Sequence, residues 1–283
     1  MSASFYQRCR AELQRYEAEK AFPEGYTGLN KEIMEIQESA REQLGPTLRL
    51  SEAALNNLKE GQIALTGQSV PIPVSVFRPA ALKLAAAFSR VAGQPFPVEK
   101  IFALPGSSSD DWHTLAEDLL AGRLDLAELA EGSGYNAETI AYFLHSLLVP
   151  FYEHQSEPYR QMLMDKEIAW NRGFCPVCGS PARYGVYYGE KGFRKLYCGL
   201  CRTEWPFPRH MCPHCENPEM ASIRSFTIGG DQAHAAEVCD HCQSYLKATD
   251  ERQLRRECIA AVEDLATPGI DLTAAGQGLS RPA

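Results

Sequence analysis

The chain has 283 residues, 45% of them apolar and 23% charged, with a formal net charge of −8. That length supports one or two domains with cores of their own, and the composition excludes collagen-like, low-complexity and disordered classes. The charge is unevenly placed: residues 1–165 carry 14 Lys/Arg against 22 Asp/Glu, while residues 166–283 carry 14 of each, so the N-terminal part argues against a nucleic-acid partner.

Met1 to Arg8 lack the apolar run of a secretory signal. The longest apolar stretch, Ile140 to Tyr152, is interrupted by His145 and Ser146 and is too short to span a bilayer. A cytoplasmic protein without membrane insertion is expected. In that reducing compartment clustered cysteines favour metal over disulfides.

The first 165 or so residues read as helices. Phe5, Cys9, Leu13 and Tyr16 form one amphipathic stripe, and Leu29, Ile33, Ile36, Ala40 and Leu44 form a second that Gly45-Pro46 stops. Ser51 caps a third helix running towards Leu65. Val70-Pro71-Ile72-Pro73 is extended, because each proline pushes its predecessor out of the helical region. Pro79 suits the first turn of a helix that reaches Val91, with Gly93 beyond its end. Ser109, Asp110 and Asp111 predict another helix start, with Trp112, Leu115, Leu119 and Leu120 as its buried face. Asn136 caps a helix whose stripe is Ile140, Phe143, Leu144, Leu147, Leu148 and Phe151. A last helix, from about Pro158 to Trp170, delivers the chain to a different kind of sequence.

From Phe174 onward Pro, Gly and aromatic residues dominate, and eight of the ten cysteines fall in four Cys-x-x-Cys pairs: Cys175/Cys178, Cys198/Cys201, Cys212/Cys215 and Cys239/Cys242. Ala182 to Tyr188 and Phe193 to Cys198 flank Gly189-Glu190-Lys191-Gly192 as a hairpin. Ser222 to Ile228 and Ala233 to Cys239 flank Gly229-Gly230-Asp231 as another. Each half therefore reads knuckle, hairpin, knuckle. The pattern Cys-Pro-x-Cys-x-x-Pro occurs at Cys175–Pro181 and again at Cys212–Pro218, so the halves look like tandem copies.

A Cys-x-x-Cys turn aims two thiolates at one point, and two such turns make a tetrahedral sulfur cage. Redox dithiols of thioredoxin type want a single pair opening a helix, which four pairs separated by hairpins do not provide. Metal also supplies the stability that a ribbon of about forty residues lacks. Nineteen residues separate the first two pairs and twenty-three the last two, just enough for a hairpin. Four knuckles can combine sequentially, cross-braced or nested; the spacing and the tandem repeat favour sequential sites, Cys175, Cys178, Cys198 and Cys201 as one and Cys212, Cys215, Cys239 and Cys242 as the other. Four thiolates suit zinc and mononuclear iron alike, and closed cages disfavour hydrolytic catalysis. His214 and His241 read as turn residues beside a cage, His210 as a surface residue, and Cys9 and Cys258 as small helix-face residues. Arg172, Arg183, Lys191, Arg194, Lys195, Arg202 and Arg209 interleave with Tyr184, Tyr187, Tyr188, Tyr197 and Trp205. This is the one feature suited to phosphates and stacked bases, although aromatic residues also build a ribbon core and cations offset an anionic cage.

The cysteine region resembles the formate dehydrogenase accessory proteins of FdhE type. The resemblance rests on Cys175–Ser180, on Leu196–Trp205 (Leu-Tyr-Cys-Gly-Leu-Cys-Arg-Thr-Glu-Trp), on Cys212–Glu216, on Ala236–Lys247 and on Val262–Ala266, and spans roughly residues 174–271. Glu204 and Trp205 fall on the family pattern. The resemblance implies a cytoplasmic, non-enzymatic maturation factor that binds the catalytic subunit of a respiratory formate dehydrogenase before its export. It further implies two rubredoxin-like iron sites, one Fe ion per four-cysteine set with Zn possible instead, behind a helical N-terminal domain. The expected fold is thus α+β and multidomain: a helical domain over 1–170, tandem rubredoxin-like or zinc-ribbon domains over 171–210 and 211–250, a C-terminal helix over 251–272 and a disordered tail over 273–283. Two alternative functions are a rubredoxin-like one-electron carrier and a zinc-ribbon nucleic-acid-binding protein.

Overall fold

The computed structural model of the chain describes residues 3–20, 22–47, 51–104, 112–164 and 170–282. Two compact units divide it: Met1–Thr47 with Gly67–Gln155, and Leu48–Thr66 with Ser156–Ala283.

The first unit is helical. α1 (Phe5–Glu19) starts at Ser4, whose hydroxyl accepts from the Gln7 N–H while the Gln7 side chain accepts from the Ser4 N–H. Its stripe is rotated slightly from the predicted one, with Tyr6, Cys9, Leu13 and Tyr16 buried and Phe5 half-buried. α2 (Tyr26–Glu42) buries Ile33 and Ala40 as its periodicity predicts. It also buries Gln37, whose amide donates to the Ser146 carbonyl at 2.8 Å and so meets the hydrogen-bond demand of a buried polar group. α3 (Glu52–Lys59) is capped by Ser51 but stops well short of Leu65, and it belongs to the second unit.

α4 (Val74–Ala92) begins ahead of Pro79, so that proline lies inside the helix and not in its first turn. The substitution of a ring for an N–H there removes only the bond to Ser75, near the helix start, while Val76, Phe77, Ala80, Ala81 and Leu84 are buried along its face. Gly93 closes the helix in the left-handed region at φ 68°. α5 (Val98–Phe102), α6 (His113–Leu120) and α7 (Leu126–Ala130) are short. The predicted start at Ser109, Asp110 and Asp111 lies outside the described residues. α6 buries Leu115 and Ala116 behind a buried Trp112, but its last turn leaves Leu119 half-buried and Leu120 exposed.

α8 (Ala137–Met164) is one helix where two were expected, and residues 165–169 of the expected second one lie outside the described residues. Asn136 caps it by accepting from the Thr139 N–H at 2.9 Å, and the whole stripe from Ile140 to Phe151 is buried. That apolar face outweighs the helix-breaking tendency of Pro150 and Pro158, both of which lie inside it. The core of the unit closes on stacked rings, Phe77 on Trp112 at 4.5 Å and Phe96 on Phe143 at 4.1 Å. No helix among the described residues is long and apolar enough to cross a membrane.

The second unit is built on a sheet. β1 (Tyr184–Tyr188) and β2 (Phe193–Tyr197) form the first hairpin, with β3 (Glu204–Pro206) beside β2. β4 (Ile223–Phe226) and β5 (His234–Cys239) form the second, and β6 (Ser244–Asp250), which the sequence pattern leaves unassigned, pairs with β5. The two ribbons are not separate. β1 and β6 pair in parallel, Tyr184 opposite Lys247 and Val186 opposite Thr249, giving one six-stranded sheet of order β3-β2-β1-β6-β5-β4.

The chain beyond the sheet also differs from expectation. In place of one helix there are α9 (Glu251–Leu254), α10 (Ala260–Leu265) and α11 (Pro268–Gly276). Pro268 opens α11, which fits its preference for the first helical position. Ala274 and Leu279, from the stretch expected to be a disordered tail, pack with Ile270 on Ala236, Val238 and Tyr245, while Ala260 packs on Tyr184 and Val186. Arg281 adds a buried charge cluster. Its guanidinium meets Asp264 at 2.6 Å and Asp271 at 3.1 Å, and the buried Lys247 ammonium meets the same carboxylates at 2.8 and 2.6 Å. Burial alone would raise the Asp264 carboxyl, but Arg281, Lys247 and Arg183 hold it well below the usual carboxylate range.

Candidate metal centres

The two sets of cysteine sulfurs converge as the sequence spacing suggested. The Sγ atoms of Cys175, Cys178, Cys198 and Cys201 all lie within 4.8 Å of one another, and so do those of Cys212, Cys215, Cys239 and Cys242. The closest pairs are Cys175–Cys201 at 3.4 Å, Cys178–Cys198 at 3.5 Å, Cys215–Cys239 at 3.7 Å and Cys212–Cys242 at 3.8 Å. A disulfide would need about 2.05 Å. Four sulfurs held about 2.3 Å from one tetrahedral ion stand about 3.8 Å apart, which is the spacing these cages approach.

All four knuckles share one backbone form. The residue after the second cysteine adopts positive φ in each: Gly179 at 80°, Arg202 at 60°, Glu216 at 55° and Gln243 at 54°. Its N–H returns to the carbonyl of the first cysteine, at 3.0 Å in the first three knuckles and 2.8 Å in the fourth. This left-handed closure turns backbone N–H groups onto sulfur. Val177 donates to Cys175 Sγ, Cys201 to Cys198 Sγ and His214 to Cys212 Sγ, each at 3.4 Å. Glycine is needed only in the first knuckle, where a β-carbon on Gly179 would meet Ile63 Cδ1 at 2.6 Å.

A second ring of groups surrounds the sulfurs, and the sequence reading does not single it out. Two residues after the second cysteine stand Ser180, Thr203, Asn217 and Ser244. The Thr203 hydroxyl lies 3.1 Å from Cys201 Sγ, the Ser244 hydroxyl 2.9 Å from Cys242 Sγ and the Ser180 hydroxyl 3.4 Å from Cys178 Sγ. The available signal is a small polar residue at a fixed offset from every pair.

The thiols are electrostatically crowded. Burial, followed by neighbouring thiols, pushes Cys175 and Cys198 well above the ordinary thiol value. Burial would also raise Cys201, but hydrogen bonds from Cys175, Cys178, Cys198 and Thr203 hold it well below that value. In the second set burial likewise opposes ionisation of Cys242, yet Ser244, Cys215 and Cys239 lower it. In each set the neighbours thus ease the ionisation of one thiol, and a cation at the centre would stabilise thiolates further. The donor set, its spacing and its N–H···S bonds fit a thiolate-bound metal.

The remaining candidates take other places. His214 Nε2 faces the Tyr245 carbonyl at 3.3 Å, and burial pulls its pKa down to about 4, so it stands neutral beside the second cage. His210 and His241 are exposed. Cys9 is buried on α1, whereas Cys258 lies in the link between α9 and α10, not on a helix, against Tyr184 and Tyr197. Trp205 is buried on β3 and its indole N–H donates to the Arg172 carbonyl at 3.0 Å, while Glu204 pairs with Lys195 at 3.0 Å. The basic residues of the first ribbon are largely committed within the unit. Arg172 pairs with Glu216, Arg183 with Asp264, and Arg194 with Glu237, at 2.9, 3.0 and 2.7 Å.

Among known proteins, the family description "FdhE, central domain" matches residues 174–209, and "FdhE, C-terminal domain" matches residues 211–283. A "Protein FdhE homolog" of Pectobacterium carotovorum is 38% identical over 115 residues, covering 39% of this chain and 36% of the relative. "Protein FdhE" of Escherichia coli is 36% identical over 119 residues, covering 41% and 37%. The chain thus spans little more than a third of the length of these curated relatives. The crystal structure of the FdhE protein from Pseudomonas aeruginosa shares the fold, with a TM-score of 0.65 at 23% identity over 99% of this chain and 95% of that one. Residues 174–209 and 211–283 thus match the FdhE central and C-terminal domains, and the fold is shared with the FdhE crystal structure over nearly the whole chain.

Proposed function

We propose that this protein is a cytoplasmic, non-catalytic accessory factor that binds the catalytic subunit of a respiratory formate dehydrogenase and assists its assembly before export. The observation that carries the reading is the match of residues 174–283 to both cysteine-bearing FdhE domains, together with two four-sulfur cages in that region. The eight cysteines would hold two metal ions, one per cage. Iron is the proposed metal, with zinc the alternative that the same donor set admits. Bound iron would supply a thiolate centre able to change charge by one electron. The chain's own residues position the sulfurs, exclude water from most of them and shape the second cage's surface.

The internal ion pairs of Arg172, Arg183, Arg194 and Lys195 argue against the nucleic-acid reading, because phosphate contacts would compete with carboxylates already in place. The test is affinity purification of the full chain from cells making formate dehydrogenase, with metal analysis on the same sample. Recovery of the catalytic subunit is expected, and deletion of the gene should abolish formate dehydrogenase activity. Normal activity in the deletion strain would sink the proposal.

A further inference from the structure

We propose that the two cages are inequivalent: the first is a sealed, permanent centre, and the second is the one through which the protein exchanges its metal ion. This rests on the reading that both cages hold metal. Three independent features of the second unit support it.

The first is the burial of the sulfurs. Cys175, Cys198 and Cys201 are fully buried, leaving only Cys178 half-exposed in the first cage. In the second cage both Cys215 and Cys242, one from each knuckle, are half-exposed.

The second is what covers them. Residues 60–66, which leave α3 and cross the first knuckle, form a strap: the Ala64 N–H donates to the Pro176 carbonyl at 2.8 Å and the Leu65 N–H to the Val177 carbonyl at 3.1 Å. Ile63 lies against Gly179 so closely that any side chain there would displace it. On the second knuckle the Ser156 hydroxyl donates to the Cys201 carbonyl at 2.8 Å. The second cage has neighbours too, with Gly173 against the Pro213 backbone and the Ser280 N–H donating to the Gln243 carbonyl at 3.0 Å, yet the side chains of Asp240, His241 and Gln243 stay exposed.

The third is written into the sequence. The residue before the second cysteine is Val177 and Leu200 in the first cage, both fully buried, but His214 and His241 in the second. The tandem copies therefore differ where an apolar side chain would seal the turn.

The chemistry follows from access. Release from a tetrathiolate proceeds by replacement, as donors of an incoming chelator take the place of sulfurs one at a time. At the second cage the two half-exposed sulfurs would be the first replaced, with Cys212 and Cys239 the last to hold the ion. Each displaced thiolate would take the proton that the chelator or buffer gives up, and the ion would leave with the chelator. At the first cage only Cys178 is half-exposed, so replacement of a second sulfur would require the strap to lift.

The full chain, loaded without air with cobalt(II) at both cages, provides the test, since the thiolate–cobalt absorption reports occupancy. On adding excess EDTA, half of the absorption should decay at least about tenfold faster than the rest, the scale on which outer groups tune metal binding. Iodoacetamide trapping during the fast phase, read by peptide mass spectrometry, should label Cys215 and Cys242 first. Ile63→Ala should accelerate the slow phase and leave the fast one unchanged. A single phase from a fully loaded chain, or first labelling at Cys178, would overturn the inequivalence while leaving the metal reading intact. A chain that retains no cobalt would overturn both.

Discussion

Arg194 on β2 and Glu237 on β5 meet at 2.7 Å, although β1 and β6 lie between their strands. The same guanidinium donates to the Met211 carbonyl at 2.6 Å and to that of Pro208, so one buried side chain joins both ribbons and the link between them. Tyr187 donates to the same Glu237 carboxylate.

Removing one member of a buried pair leaves the other charge uncompensated. Arg194→Met should lower stability by about 3–5 kcal/mol, whereas Arg194→Met with Glu237→Gln should recover part of that loss. Urea unfolding of the metal-loaded chain measures both. Equal midpoints for wild type and Arg194→Met would show that the contact carries no weight.

Two glycines should respond with opposite signs. A β-carbon on Gly173 would stand 1.7 Å from the Pro213 carbonyl oxygen, a clash between backbones that no rotamer relieves. Gly173→Ala is expected to yield insoluble protein or a sharply lower Tm. Gly28 lies exposed within α2 with nothing near its missing β-carbon, so Gly28→Ala should stabilise by about 0.5–1 kcal/mol. Thermal scans of the two variants decide the matter.

The hydroxyls beside the sulfurs offer a subtler probe. Thr203→Val keeps the shape of the side chain but removes the group 3.1 Å from Cys201 Sγ. It should weaken metal binding at the first cage about 10–100-fold without unfolding the sheet, and Ser244→Ala should do the same at the second. Competition against a chelator of known affinity, with circular dichroism as the control for folding, would expose either claim as wrong.

His234 sets a pH dependence. It is buried on β5 between Asp231 on Nδ1 and Glu263 on Nε2, both at 2.8 Å, with Arg256 3.7 Å from the far side of Glu263. Burial alone would lower its pKa, but the two carboxylates raise it above the ordinary 6.5. A folded-state pKa above the unfolded one gives a stabilisation that is complete below the unfolded value and is lost as pH rises through the folded value. The stability gap between wild type and His234→Gln should therefore be widest at and just below the ordinary histidine value of about 6.5 and narrow as pH rises through the raised folded-state value. A gap that grows with pH would contradict the assignment.

The cages are legible in the sequence because their information is local. Cys-x-x-Cys turns, hairpin glycines and spacing suffice to place eight sulfurs in two sets. The helical stripes of α1, α2 and α8 are legible for the same reason. What stays hidden depends on distant partners. β6 carries Lys247 in a strand whose burial is supplied by Asp264 and Asp271, so it does not read as one. α11 and the end of the chain are ordered by Ile270, Leu279 and Arg281 finding the sheet, which no local pattern announces. The strap over the first cage looks like the end of a helix, because Ile63 and Leu65 continue an apolar pattern while serving a knuckle more than a hundred residues away.

The parallel pairing of β1 with β6 has a consequence for synthesis. On the ribosome the first ribbon is complete once Pro206 has emerged, and its four cysteines can already converge. Yet one edge of β1 stays unpaired until Ser244–Asp250 leave the exit tunnel, with the whole second ribbon made in between. An open, half-aromatic strand edge invites pairing with other nascent chains. Translation thus passes through a vulnerable interval that ends only when the later copy arrives to protect the earlier one.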